Sequence, residues 1–179
     1  MVGMRNQSYP LKAYAKPFEY GMEPKKAETI RSWEIVFPND ANPHGTMFGG
    51  KLMAIMDKIA GIAAARYACT SVVTASTEGI VFKRPVRVGD RIQTIARVVY
   101  VGNTSMVIKV DVFAENPIEG TRVHFTTARF NFVALDKDDK PTPVPPLLIE
   151  TEEERKEYSL AEFVKQQALE RKKKIQEIK

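Results

Sequence analysis

Between His44 and Leu52 the chain reads HGTMFGGKL, and Gly45, Gly50 and Lys51 have the types and spacing of a phosphate cradle. Such a loop wraps backbone N–H groups around phosphate oxygens, and a hydroxyl after its lysine ligates magnesium. Leu52 stands where that hydroxyl belongs. What survives is a glycine pair, Gly49-Gly50, at the start of an apolar segment. Glycines there let another backbone or a ligand approach closely. The first N–H groups of a helix have no intrahelical partner and suit negative charge. The alternative is that the glycines merely pack the helix against the sheet. Seven residues on stands Asp57, set among Leu52, Met53, Ile55, Met56, Ile59 and Ile62. An unpaired buried carboxylate costs several kcal/mol, so it needs a partner or a chemical task. The bland partners are Lys58 or Arg66, or a polar stripe shared with Lys51 and Lys58. At about 100° per residue Gly50 and Asp57 share one helix face, two turns apart. In a pair of chains, one helix start could therefore meet the other chain's aspartate.

The elements around these residues follow from periodicity. Phe48–Ala68 is apolar almost all round at helical spacing and predicts a buried helix. Ser32–Phe37 alternates and predicts a short strand, closed by Pro38-Asn39-Asp40. Val72–Val86, Arg91–Val101, Ser105–Ala114 and Arg122–Leu135 are rich in Val, Ile, Thr and Phe, with turn signals between them. Met106, Ile108, Val110 and Val112 fall on one face of their strand and Lys109 and Asp111 on the other, the one-sided burial of an antiparallel sheet. The plan is α+β: a strand, one buried helix, then a meander. A magnesium-binding phosphate loop works in a parallel βαβ sheet, so this plan removes that reading.

Residues 1–29 carry three prolines and no sustained periodicity, and are expected to be an N-terminal arm. Residues 30–147 form the domain, and 148–179 a charged helical tail behind the stiff exit PTPVPP. From Glu150 onward eight acids balance eight bases, with Glu152 and Lys156 placed for an i,i+4 pair. The tail is expected to be dispensable for chemistry. It is either a solvated helix or one that packs on a neighbouring subunit through Leu160, Phe163 and Val164. The net charge of +5 favours a polyanionic partner. No aromatic-interleaved basic patch supports nucleic acid as that partner. No apolar run predicts a membrane span or a signal peptide. The lone Cys69 excludes an intrachain disulfide or a cysteine zinc cluster and suits the cytoplasm.

NDANPHGTMFGGKLMAIMDKIAGIAAARYA followed by VVTASTEGIVFKRPVRVGD, and then YVGNTSMVIKVDVF, resembles the hotdog-fold acyl-CoA thioesterases of the acyl-CoA hydrolase type. The similarity covers roughly residues 30–147. The Asn–x–x–Gly–x–x–x–Gly–Gly turn, the Met-Asp in the helix and the Arg-Pro–x–x–x–Gly-Asp segment occur together and in order. The resemblance implies a hotdog fold, an antiparallel sheet wrapped around one long helix. It implies hydrolysis of acyl-CoA thioesters without metal or organic cofactor, at a dimer interface, in a hexamer of three dimers. It places Asn42 and Asp57 as catalytic residues, with Asp57 as base or nucleophile and Asn42 orienting water or thioester. Backbone N–H groups of Gly49 and Gly50 would polarise the carbonyl. Lys83, Arg84 and Arg87 would meet CoA phosphates, or be ordinary solvated cations. Gly102, Thr104 and Ser105 would line the pantetheine path, and Thr74 and Glu78 could back the site or be plain strand residues. Many relatives have His before the Gly-Gly pair, where this chain has Phe48, so no role is assigned to His44. The alternative is a non-catalytic hotdog module that binds acyl-CoA as a regulatory ligand. Retention of both Asn42 and Asp57 argues against it.

Overall fold

The computed structural model describes residues 22–82 and 84–178. Residues 1–21 of the expected arm and Lys83 lie outside the described residues. Five strands and a long helix make the domain: β1 (Ile30–Ile35), α1 (Gly49–Ala68), β2 (Ser71–Glu78), β3 (Arg91–Val101), β4 (Ser105–Asn116) and β5 (Thr121–Leu135). A second helix, α2 (Glu152–Ile178), closes the chain. All strands are antiparallel in the order β1-β3-β4-β5-β2.

The expected meander holds for β3, β4 and β5 but not for β2. β2 pairs with β5 at one edge, whereas the next strand, β3, pairs with β1 and β4. The expected strand to Val86 stops at Glu78, where Gly79 turns the chain at φ +75°. The described residues of the next stretch, 79–82 and 84–90, then pass the start of α1. There Met47 N donates to Val86 O at 2.7 Å, and Phe82 stacks on Phe125 at 6.0 Å. Pro85, which has no N–H to give a ladder, sits in this stretch.

Met106, Ile108, Val110 and Val112 are fully buried on the inner face, as their alternation predicts. Leu52, Met56, Ile59 and Ala63 of α1 pack on that face, each large apolar side chain contributing roughly 1.5–3 kcal/mol. The helix is not covered on all sides, however. Met53 and Ile62 are exposed, and Asp57 is half-buried rather than enclosed.

The end of α1 is held by the segment before β1. Cys69 ends α1 in the left-handed region at φ 55°, leaving the last carbonyls without intrahelical partners. Lys25 Nζ donates to Arg66 O at 3.1 Å and to Tyr67 O at 2.8 Å, which suits a cation at a helix C-terminus. Lys25 N also donates to Pro146 O, and Leu148 N to Lys25 O, so this segment is pinned to the proline-rich exit.

α2 does not stand in solvent. It lies on the outer face of its own sheet, where Ala161 is fully buried against Val99 and Val107. Glu154 pairs with Arg97, Glu157 with Lys109 and Arg129, and Arg171 with Glu78. Within the helix Glu152 meets Arg155 at i,i+3. Leu160 and Phe163 remain exposed. The Glu150 N–H and then the Arg97 guanidinium hold the Glu154 carboxyl at about 2, below its ordinary 4.5. A depressed carboxylate stabilises docking above its unfolded value and loses that contribution as the pH falls through its folded one. α2 is therefore expected to stay docked at pH 5 and to loosen as the pH falls from about 4.5 to about 2. Backbone hydrogen exchange of α2, corrected for the intrinsic rate, would show it. Unchanged protection at pH 2.5 would contradict the assignment.

Candidate active site

The loop before α1 is built by Asn42. Its Oδ1 accepts from His44 N at 2.9 Å and from Thr46 N at 3.3 Å, and its Nδ2 donates to Thr46 Oγ1 at 2.9 Å. An asparagine side chain that bonds its own following backbone is the usual organiser of such a turn. Gly45, at φ +73°, completes it. Among the described residues the second Nδ2 hydrogen has no partner. Asp40 accepts from Phe37 N and pairs with Lys51 at 3.0 Å, tying the loop to the first turn of α1.

Phe48 begins the helix without a side-chain cap, so the N–H groups of Gly49 and Gly50 keep no helical partner. The glycines meet aromatic rings rather than sheet backbone. A Cβ at Gly49 would come within 3.2 Å of the Phe82 ring, and one at Gly50 within 2.5 Å of the Phe48 ring. The packing against the sheet posed as the alternative is therefore not what these glycines serve; they admit the Phe82 and Phe48 rings.

Asn42, Gly49 and Arg84 line one cavity of 390 Å³, walled by Met47, Leu52, Phe82 and Phe125. The cavity combines apolar walls with polar groups, as small-molecule sites do. Gly50 borders it in sequence but is exposed. Arg87 is exposed as well, and its N–H donates to Asp90 Oδ2 at 2.8 Å. Gly102, Thr104 and Ser105 lie elsewhere, at the β3–β4 turn, with Thr104 and Ser105 against a different cavity.

Asp57 is not part of the Asn42 cavity. Seven residues of helix put it about 10 Å along the axis from Gly50. Its Oδ1 accepts from Thr74 Oγ1 on β2 at 2.7 Å. Of the cations that could have neutralised it, Arg66 pairs with Glu28 at 2.7 Å and Lys51 with Asp40, while the exposed Lys58 makes no ion pair with it. Among the described residues no ion pair forms at Asp57. A bulge between Thr74 and Ser76 breaks the β2–β5 register. The extra residue lets Thr74 and Ser76 serve opposite faces of the sheet. Glu78 turns outward to Arg171 instead of towards Asp57. Thr74 is thus the contact that the sequence named only as a possible support. No period links a helix to a strand seventeen residues later, so only pairing with β5 brings it there.

The thioesterase superfamily model matches residues 44–121. An uncharacterised acyl-CoA thioester hydrolase of Bacillus subtilis is 43% identical over 132 residues, 74% of each chain. The acyl-CoA hydrolase of Staphylococcus aureus, solved with butyryl coenzyme A and coenzyme A, superposes with a TM-score of 0.74 at 36% identity, over 84% of this chain and 94% of that one. Alanine variants of that enzyme at an asparagine, an aspartate and a threonine have also been solved, at positions fifteen and then seventeen residues apart. A hexameric acyl-CoA thioesterase gives a TM-score of 0.76 at 37% identity, over 80% of this chain and 92% of that one. Five antiparallel strands around one helix, a glycine-led helix start and these matches agree: the chain belongs to the hotdog-fold acyl-CoA thioester hydrolases of the thioesterase superfamily.

Proposed function

We propose that this chain hydrolyses acyl-CoA thioesters to the free acid and CoA, in a site shared between two copies. The observation that carries this is the division of the site within one chain. Asn42 and the free N–H of Gly49 face one cavity, while the fixed carboxylate of Asp57 points elsewhere. A second copy completes the set. The edge of β2 away from β5 has no strand partner among the described residues, and Val73 on β2 and Met53 and Ile62 on α1 are exposed. An open edge beside apolar side chains invites a second copy of the same strand. Three such pairs make a hexamer, the state in which one relative was solved. Asn42, Asp57 and Thr74 keep the order and separations of the three residues varied in the Staphylococcus aureus enzyme, which supports giving them the same site.

In the reaction Asp57 takes a proton from water, the water oxygen bonds to the carbonyl carbon, and charge builds on the carbonyl oxygen. N–H groups at the start of α1 stabilise that charge. Collapse breaks the C–S bond, and the CoA thiolate leaves and takes up the proton. Thr74 holds one oxygen of Asp57 and leaves the other to the water. Asn42 offers its second Nδ2 hydrogen to the water or the thioester, and Arg84, which lines the same cavity, meets a phosphate. A panel of acyl-CoAs incubated with the protein and a thiol reagent tests the activity. Binding without release of thiol would favour the regulatory module instead.

Thr74→Val should lower kcat about tenfold with little change in KM, because one hydrogen bond to a charged acceptor orients the base. Thr74→Ser should restore most of the loss. A Thr74→Val enzyme with full kcat would remove Thr74 from the site.

A further inference from the structure

A second cavity, of 700 Å³, lies between the outer face of the sheet and α2. Ser76, Asn131 and Ser105 form its polar floor, and α2 supplies Lys165, Lys172 and an apolar wall that includes Leu169 and Ile175. We infer that this cleft binds a phosphate-bearing organic ligand, with Lys165 and Lys172 on the phosphate and the Leu169–Ile175 wall against its uncharged body.

Three observations point there. Lys165 Nζ is half-buried, donates to Ser105 Oγ and lies 5.1 Å from the Tyr100 ring centroid. Among the described residues it has no carboxylate within ion-pair distance, and its burial lowers its pKa. An ammonium out of water without a counter-ion is a cost that a bound anion removes. Asn131 is 9% exposed and donates to Ser76 Oγ at 2.9 Å, yet its Oδ1 has no partner. A buried amide oxygen left unpaired calls for an N–H or O–H donor, which the organic body of the ligand, not its phosphate, would supply. The charge is also one-sided. Arg171 is neutralised by Glu78 through two contacts at 2.9 and 3.0 Å, and among the described residues no ion pair compensates Lys165 or Lys172. Gly102 keeps the approach open, since a Cβ there would sit 3.3 Å from Lys165 Nζ.

The phosphate could come from the nucleotide end of CoA or from a free phosphorylated metabolite. The first source rests on the proposal that Thr104 and Ser105 meet the substrate, and the second does not. Calorimetric titration of the full chain with adenosine 3′,5′-bisphosphate and with inorganic pyrophosphate tests the site itself. Binding of the bisphosphate is expected. Lys165→Gln should weaken it about tenfold or more, and Lys165→Arg should restore part of the loss. Should Lys165→Gln fail to fold by its melting curve, Lys172→Gln, at an exposed position, provides the same comparison. Steady-state rates with an acyl-CoA and with the matching acyl-pantetheine then separate the sources. A KM raised for the acyl-CoA alone identifies the substrate's own phosphates, and an unchanged KM identifies a separate ligand. Lack of turnover with any thioester would overturn the hydrolase proposal while leaving the titrations valid. No binding of either probe, or equal affinity in every variant, would overturn the site.

Discussion

Asp57→Asn is expected to lower kcat by roughly 10²–10⁴, the usual worth of a general base, while KM stays close to the wild-type value. Asparagine keeps the shape of the side chain and can still accept from Thr74 Oγ1, so the geometry at 2.7 Å should survive. Only the ability to take a proton goes. Neutralising an acid near a polyanionic substrate does not weaken binding by electrostatics. Stability should hold or rise, because the half-buried carboxylate has no cation partner among the described residues and charge retained for function is normally a stability cost. A structural Asp57 would behave in the opposite way, with a lower melting temperature and full activity in the folded fraction. Turnover and melting temperature measured on one preparation decide between them. A destabilised but fully active variant would end the catalytic assignment.

Mixing two inactive variants should restore activity. Asn42→Ala removes the cavity half of the site and Asp57→Asn removes the base, so each alone should be close to inactive. If the two halves come from different copies, a randomly paired mixture contains heterodimers in which one of the two sites holds both wild-type residues. About one quarter of all sites should then be active, against almost none in either parent. A site contained within one chain gives no recovery at all. The test needs subunit exchange, by brief unfolding and refolding of the mixture or by coexpression. A mixture as inactive as its parents, with heterodimers confirmed by mass, would place both halves in one copy. Asn42 also holds its own loop through Thr46 and His44, so the melting temperature of Asn42→Ala must be followed alongside.

Much of the fold was legible because its signals are local. Period two in β3, β4 and β5 and period 3.6 in α1 come from which side of an element faces the core, and neighbouring residues record that directly. β3 was read to its observed limits, Arg91–Val101, and α1 to within one residue of Gly49. The chemistry of the loop was legible for the same reason, since glycines before an apolar helix and a lone aspartate within it stand out in a short window.

The sequence by itself determined the strands of the meander, the long helix, and the presence of Asn42, Gly49 and Asp57 as polar or glycine exceptions to an apolar pattern. Tertiary structure alone decided that β2 lies at an edge and stops at Glu78, because strand order depends on pairing with β5, dozens of residues away. It alone set Thr74 on Asp57, through a bulge that no local pattern announces. It turned an apparently solvated tail into a docked helix, because a charged residue reads as solvent-facing until its counter-charge is found on another element. Glu157 finds Lys109 and Arg129 across the sheet, and Glu154 finds Arg97. Finally, α1 reads as buried on all sides while one chain leaves Met53 and Ile62 exposed. A hydrophobic pattern records every surface that a residue covers without saying which chain supplies the cover, and only the folded chain shows where its own atoms run out.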